Sequence, residues 1–116
     1  MPDPDGMPPR AASRQSQNRA GVAQALVAHV YGVALDDVRA ATRGRPRAAL
    51  ARQVAMYLSH VVLRMSVSEI ARAFARDRST TCHALHHIED LRDDPALDRT
   101  LVYLESMLRG AVGEGA

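Results

Sequence analysis

A chain of 116 residues that is 47% hydrophobic but only 3% aromatic can bury one modest core, built from Ala, Val, Leu, Ile and Met. All fifteen basic residues are arginine, against thirteen acids, and a net charge of +2 is too small to identify a nucleic-acid partner unless its distribution does so. A single cysteine, Cys82, excludes an internal disulfide, and no apolar stretch has the length of a signal core or a membrane span, so a cytoplasmic protein with no membrane partner is expected.

Residues 1–17 are rich in Pro, Ser, Asp and Gly with no apolar period, and are expected to form a disordered arm. From about residue 18, Val22, Leu26, Val30 and Val33 keep helical spacing, giving a first helix that Gly32 ends near Tyr31. Leu35, Asp36, Asp37 and Val38 make a brief second helix. Residues 39–52 then hold Arg39, Arg43, Arg45, Arg47 and Arg52 without one acid, interrupted by Gly44 and Pro46. Such a run either lies along a phosphate backbone or is a solvated loop. The third helix, expected over 48–63, carries Leu50, Val54, Leu58, Val61, Val62 and Met65 as its stripe, and its length makes it the central packing element; Tyr57 belongs to its core or rim.

Residues 66–91 read as two helices broken by a tight turn. Ser66 with Glu69 three residues on is a capping box, and Val67, Ile70, Ala71 and Phe74 form one apolar face behind it. Asp77 is a second N-cap, followed by Thr81, Ala84, Leu85, Ile88 and Leu91 at helical spacing. Winding this helix at roughly 100° per residue puts Ser79, Cys82, His83 and His86 opposite that core face, with Arg78 and Thr80 on its flanks. A helix-turn-helix reads DNA through such a polar, basic N-terminal turn, whereas a packed helical hairpin would need only the caps and apolar faces. The last helix opens at Asp94–Pro95, packs through Leu97, Leu101, Leu104 and Leu108, and stops at Gly110.

The segment RDRSTTCHALHHIEDLR at 76–92 resembles the signature of domain IV of DnaA, the bacterial chromosomal replication initiator, which reads R-D-H-[ST]-T-V-x-H-A and then I-E-x-L. Upstream, RQVAMYL at 52–58 is similar to that family's RQIAMYL, and the distance from Met56 to Ile70 fits. Residues 27–38 resemble the part where one helix leads into a short second one, so the likeness covers about residues 20–110. It implies an all-α, Trp-repressor-like bundle of five to six helices over 18–110, with a flexible tail at 111–116. It also implies binding of double-stranded DNA at a short, asymmetric DnaA box. Carried over by position, Asp77, Arg78, Ser79, Thr80 and His83 would read bases. Ser66, Arg76, Arg52 and Gln53 would stand near phosphates, with Arg43, Arg45 and Arg47 at phosphates or in the minor groove. The sequence departs from the family in four places. Ala75 alone separates Phe74 from Arg76 where two glycines are usual, Arg78 replaces His, Ser68 replaces Pro, and Leu50–Ala51 stand where a basic residue is expected.

No glycine-rich phosphate loop is present in the sequence, so a binder without ATPase activity or a cofactor is expected, acting on transcription or on replication initiation and associated with the nucleoid. The alternative is a protein-interaction module that keeps the fold and meets its partner through the first or last helix. Cys82 with His86, and His83 with His87, have the i, i+4 spacing of metal ligands, but no CxxC or HExxH pattern accompanies them and no metal is expected. No catalytic constellation is recognised, and the chain is not expected to be an enzyme.

Overall fold

The computed structural model describes residues 9–40 and 45–113, which form six helices: α1 (Pro9–Tyr31), α2 (Leu35–Arg39), α3 (Pro46–Val61), α4 (Val67–Ala73), α5 (Arg78–Leu91) and α6 (Pro95–Ala111). Among the described residues there is no strand.

α3 packs against each of the other five helices. From Val54 to Ser59 it is buried on every side, as a helix at the centre of a bundle must be. The one hydroxyl in that stretch is satisfied locally, Ser59 Oγ donating to the Ala55 carbonyl at 2.8 Å. Pro46 sits at the start of α3, two residues before the expected boundary, because the first helical turn has no use for the N–H that proline lacks.

α1 corrects the sequence reading in two ways. It starts at Pro9, not near residue 18, so residues 9–17 of the expected arm are helical, and residues 1–8 lie outside the described residues. Its inward face is also wider than the expected stripe, of which Leu26, Val30 and Val33 pack against the core only part-buried. Ala20, Ala23, Val27 and Ala28 are buried while Val22 is exposed. Small side chains let α1 lie close against α3, so the face that packs is the one carrying alanines. Its early turns are fastened by Ser16, whose Oγ donates to Glu69 Oε2 at 2.9 Å, a partner 53 residues away that no local pattern could announce.

α6 starts as expected, with the Asp94 side chain accepting from the Ala96 N–H at 3.1 Å. Leu101, Leu104 and Leu108 are fully buried, each contributing about 1.5–3 kcal/mol relative to an exposed side chain. The helix passes through Gly110 to Ala111, Val112 packs on the core, and Gly113 takes the left-handed backbone at φ 75°. Of the expected tail, 114–116 lie outside the described residues.

The α4–α5 turn carries backbone strain. The N–H of Arg76 donates to the Ala71 carbonyl (2.9 Å) and that of Ala75 to Arg72 (3.3 Å), the double bond of a Schellman cap. That cap needs a left-handed residue, and here it is Ala75 at φ 53°. α1 closes with the same pair of bonds around Gly32 at φ 66°. An L-residue in this conformation costs about 1–2 kcal/mol, partly offset by the entropy a glycine would lose on folding. Ala75→Gly will therefore raise the urea midpoint, adding about 0.5–1 kcal/mol with an unchanged slope; an equal or lower midpoint would contradict this assignment of strain.

Candidate nucleic-acid interface

The reading end of α5 is built by Asp77. Its Oδ1 accepts from the Thr80 N–H at 2.6 Å, and its carbonyl accepts from Thr81 Oγ1 at 2.9 Å. The Thr80 N–H, helped by its hydroxyl and by Ser79, holds the Asp77 carboxyl below the usual carboxylate range, so the cap stays charged at the positive end of the helix. Thr81, Ala84 and Ile88 are buried beneath α5. On the opposite side Arg78, Ser79, Thr80, Cys82, His83 and His86 are all exposed, as the helical winding requires. The His83 and His87 rings stack in parallel with centroids 6.3 Å apart. This face can donate to guanine through Arg78 and exchange hydrogen bonds with any base through Ser79 and Thr80.

α4 crosses behind. Ser66 Oγ accepts from the Glu69 N–H (3.1 Å) while the Ser66 N–H donates to Glu69 Oε1 (2.8 Å), closing the capping box. That backbone bond, opposed by burial and assisted by the Ser16 and Ser66 hydroxyls, lowers the Glu69 pKa. Ser66 itself is exposed at the start of α4.

The arginines divide into two groups. Arg45 is the exposed residue ahead of α3 and Gln53 is half-buried on that helix. Arg43 lies outside the described residues. Arg52 is 7% exposed, and its Nε and Nη2 donate to the carbonyls of Val38 (2.9 Å) and Asp37 (2.8 Å), so it clamps α2 to α3. Arg76 is half-buried, with Nη2 on the Ala40 carbonyl (2.7 Å) and Nη1 on those of Phe74 (3.3 Å) and Ala75 (3.4 Å). It ties the turn to the segment that follows α2. Arg47 is exposed; its Nε donates to the Tyr31 carbonyl at 2.6 Å and its guanidinium lies over the Tyr31 ring, at the end of α1.

Arg92 and Tyr57 went unrecognised in the sequence as a pair. Arg92 Nη1 donates to the Tyr57 hydroxyl at 3.0 Å, and Tyr57 donates to Glu89 Oε2 at 2.5 Å. Their separation of 35 residues leaves no periodic signal to read.

Residues 22–88 match the family model described as the bacterial DnaA protein helix-turn-helix. The chain belongs to this family. It carries the DNA-binding helix-turn-helix of DnaA, and its fold follows suit. A crystal structure of a DNA replication initiation factor superposes with a TM-score of 0.74 at 31% identity, over 82% of this chain and 29% of that one. The replication initiator DnaA bound to AMPPCP and single-stranded DNA gives 0.71 at 30% identity, over 81% and 28%. Among sequences, the chromosomal replication initiator protein DnaA of Bartonella quintana is 39% identical over 94 residues, covering 80% of this chain and 18% of that protein. The DnaA of Anaplasma marginale is 38% identical over 91 residues, covering 77% and 19%. The chain thus spans about a fifth of the length of these DnaA relatives. Against that family background the one-residue turn is closed by Ala75 in the left-handed conformation, and Asp77 still caps α5.

Proposed function

We propose that this chain binds double-stranded DNA sequence-specifically at DnaA-box-like sites, as a small regulator of transcription or of replication initiation that does not itself hydrolyse ATP. The observation that carries the reading is the exposed first turn of α5, where Arg78, Ser79 and Thr80 project from a helix whose other face is locked into the core. Asp77 shapes the end of that helix and offers its second carboxylate oxygen to an exocyclic amine; His83 extends the surface by one turn. Ser66 and Arg45 supply phosphate contacts at the flanks, with Gln53 beside them. Such a protein occupies sites, and where those sites overlap the initiator's own it competes for them.

The test is fluorescence anisotropy on two labelled duplexes, one with a DnaA box and one scrambled, at two salt concentrations. A tenfold or greater preference for the box is expected; equal affinities would reject box recognition. Arg78→Ala will cost about 1–3 kcal/mol on the preferred duplex and relax preference at one base pair, because a bidentate guanine contact is lost. Equal losses on both duplexes would remove Arg78 from base reading.

A second reading, docking of another protein, has one supporting observation. α6 exposes Val102, Tyr103 and Met107 on its outer side, with Tyr103 57% exposed. Under this reading neither duplex binds and Tyr103→Ala abolishes the partner interaction.

A further inference from the structure

Beside the α4–α5 turn lies a cleft of about 270 Å³, lined by Gln17 and Gln24 of α1, Arg39 at the end of α2, and Ala73, Phe74 and Ala75. No acid is among these lining residues. The cleft is rich in donors for a structural reason. Arg39 Nε donates to Gln24 Oε1 at 3.2 Å. A guanidinium can only donate, so the amide oxygen of Gln24 faces it and the amide nitrogen points away. Gln24 is only 5% exposed, yet among the described residues its Nε2 has no acceptor. Nor is that nitrogen sealed off, since the Tyr31 hydroxyl is the one fully enclosed, unpartnered side-chain atom among the described residues. Gln24 lines the cleft, which is where an acceptor could meet these N–H groups. A side chain buried this deeply and left with unmatched donors needs an acceptor from outside the protein.

The surroundings select the acceptor. Arg39 itself is exposed, and its guanidinium lies along α1 at Gly21, where a Cβ would stand 3.7 Å from Nη2. Arg76 is not among the lining residues; its guanidinium is taken up by the carbonyls of Ala40, Phe74 and Ala75. The Arg39 guanidinium, a buried amide and a second amide from Gln17 favour an anion with several oxygens over a neutral carbonyl. The Ala73 and Ala75 side chains are small enough to leave room for it.

We infer that this cleft is a seat for a phosphate group, held by the Gln24 amide and the Arg39 guanidinium with Gln17 at its rim. The phosphate comes from the backbone of the bound duplex or from a free phosphorylated small molecule. The duplex is favoured because the cleft shares its wall, Phe74 and Ala75, with the turn that leads directly into the reading end of α5. That source rests on the DNA-binding reading above; the seat itself does not.

Two measurements on the whole chain decide the matter. In the first, inorganic phosphate is titrated at constant ionic strength against chloride, following the Gln24 side-chain NH₂ and Arg39 Nε–H signals by NMR. Saturable shifts that chloride does not reproduce, and that Arg39→Gln abolishes, are expected. Arg39 is exposed, so this variant will fold; Gln24→Leu, checked by its thermal midpoint, gives the same loss from the buried side. In the second, the salt dependence of duplex binding is compared for wild type and Arg39→Gln. A slope of log K against log salt shallower by about 0.9 supports the duplex backbone as the source. Phosphate-specific shifts with an unchanged slope support the seat with a free phosphorylated ligand. Shifts equal in chloride, or none, overturn the seat whatever the duplex result. If no duplex binds at all, the DNA-binding reading fails while the phosphate titration still decides the seat.

Discussion

Replacing Arg52 with alanine will lower the unfolding free energy by about 3 kcal/mol, since hydrogen bonds to a charged group contribute about 1.5–3 kcal/mol each and the carbonyls left behind are poorly hydrated. The mechanism lies in α2. A helix of five residues has almost no internal bonding; at its C-terminal end the Asp37 carbonyl accepts only a long bond from the Ala40 N–H (3.4 Å), and the Val38 carbonyl belongs to the set that a helix end leaves unpaired. Arg52 reaches both at 2.8 and 2.9 Å and places its cation at the negative end of the helix. Burial, and secondarily the Arg76 cation, hold the Arg52 pKa below its ordinary value, so its removal relieves some repulsion, which is why the loss is not larger. For a domain of this size the thermal midpoint will fall on the order of 10–20 °C. Arg52→Lys will recover less than half, because one ammonium cannot match two carbonyls as the planar fork does. The same experiment separates the two roles the sequence allowed. A phosphate contact would leave the midpoint intact and flatten the salt dependence of duplex binding by about 0.9. A clamp lowers the midpoint and leaves that slope unchanged in the folded protein.

Arg52 also marks where sequence reading reaches its limit. A guanidinium that caps a helix and one that grips a phosphate present the same letter, and both belong in a basic run. Only the approach of α3 to α2 distinguishes Arg52, buried on carbonyls of this chain, from Arg45 and Arg47, which stay exposed. Local rules, by contrast, were legible. The capping box of Ser66 and Glu69, the cap of Asp77 on α5 and the Asp94–Pro95 start of α6 involve partners two or three residues apart, and all three form as their spacing requires. The outward face of α5 was legible for the same reason, since a 14-residue helix keeps its phase from Thr81 to Ile88. The first turns of α1 were not, because Ser16 is held by Glu69, a partner 53 residues away. The cleft next to the turn was hidden too, for Gln24 and Arg39 meet only once α1 and α2 are folded back on each other.

Arg92→Ala will destabilise the fold by about 2–3 kcal/mol, less than the 3–5 kcal/mol of a fully buried pair because part of this site meets water. Arg92 ends α5, and its side chain joins three helices there. Nε donates to Asp98 Oδ1 at 2.6 Å, and Nη1 donates to Glu105 Oε2 at 2.9 Å and to the Tyr57 hydroxyl at 3.0 Å. The guanidinium also lies 5.8 Å from the centre of the Tyr57 ring. Burial alone would lower the Arg92 pKa, but the bonds to Tyr57, Glu105 and Asp98 more than reverse this and raise it, so the group is a cation at every pH the fold survives. Removing it strands Glu105, whose side chain is only 15% exposed, without its donor. Arg92→Leu combined with Glu105→Leu will therefore lose less than the sum of the single changes, since the double variant no longer strands the Glu105 charge and leaves only the more exposed Asp98 without its partner. The site lies at the far end of α5 from Arg78, roughly 20 Å away at 1.5 Å per residue. Below its lowered midpoint the Arg92→Ala protein should keep its full preference among duplexes. A loss of base preference in a variant that is still fully folded would mean that the reading turn is positioned from the C-terminal end of α5, and that Asp77 and the α4–α5 turn are not enough to set it.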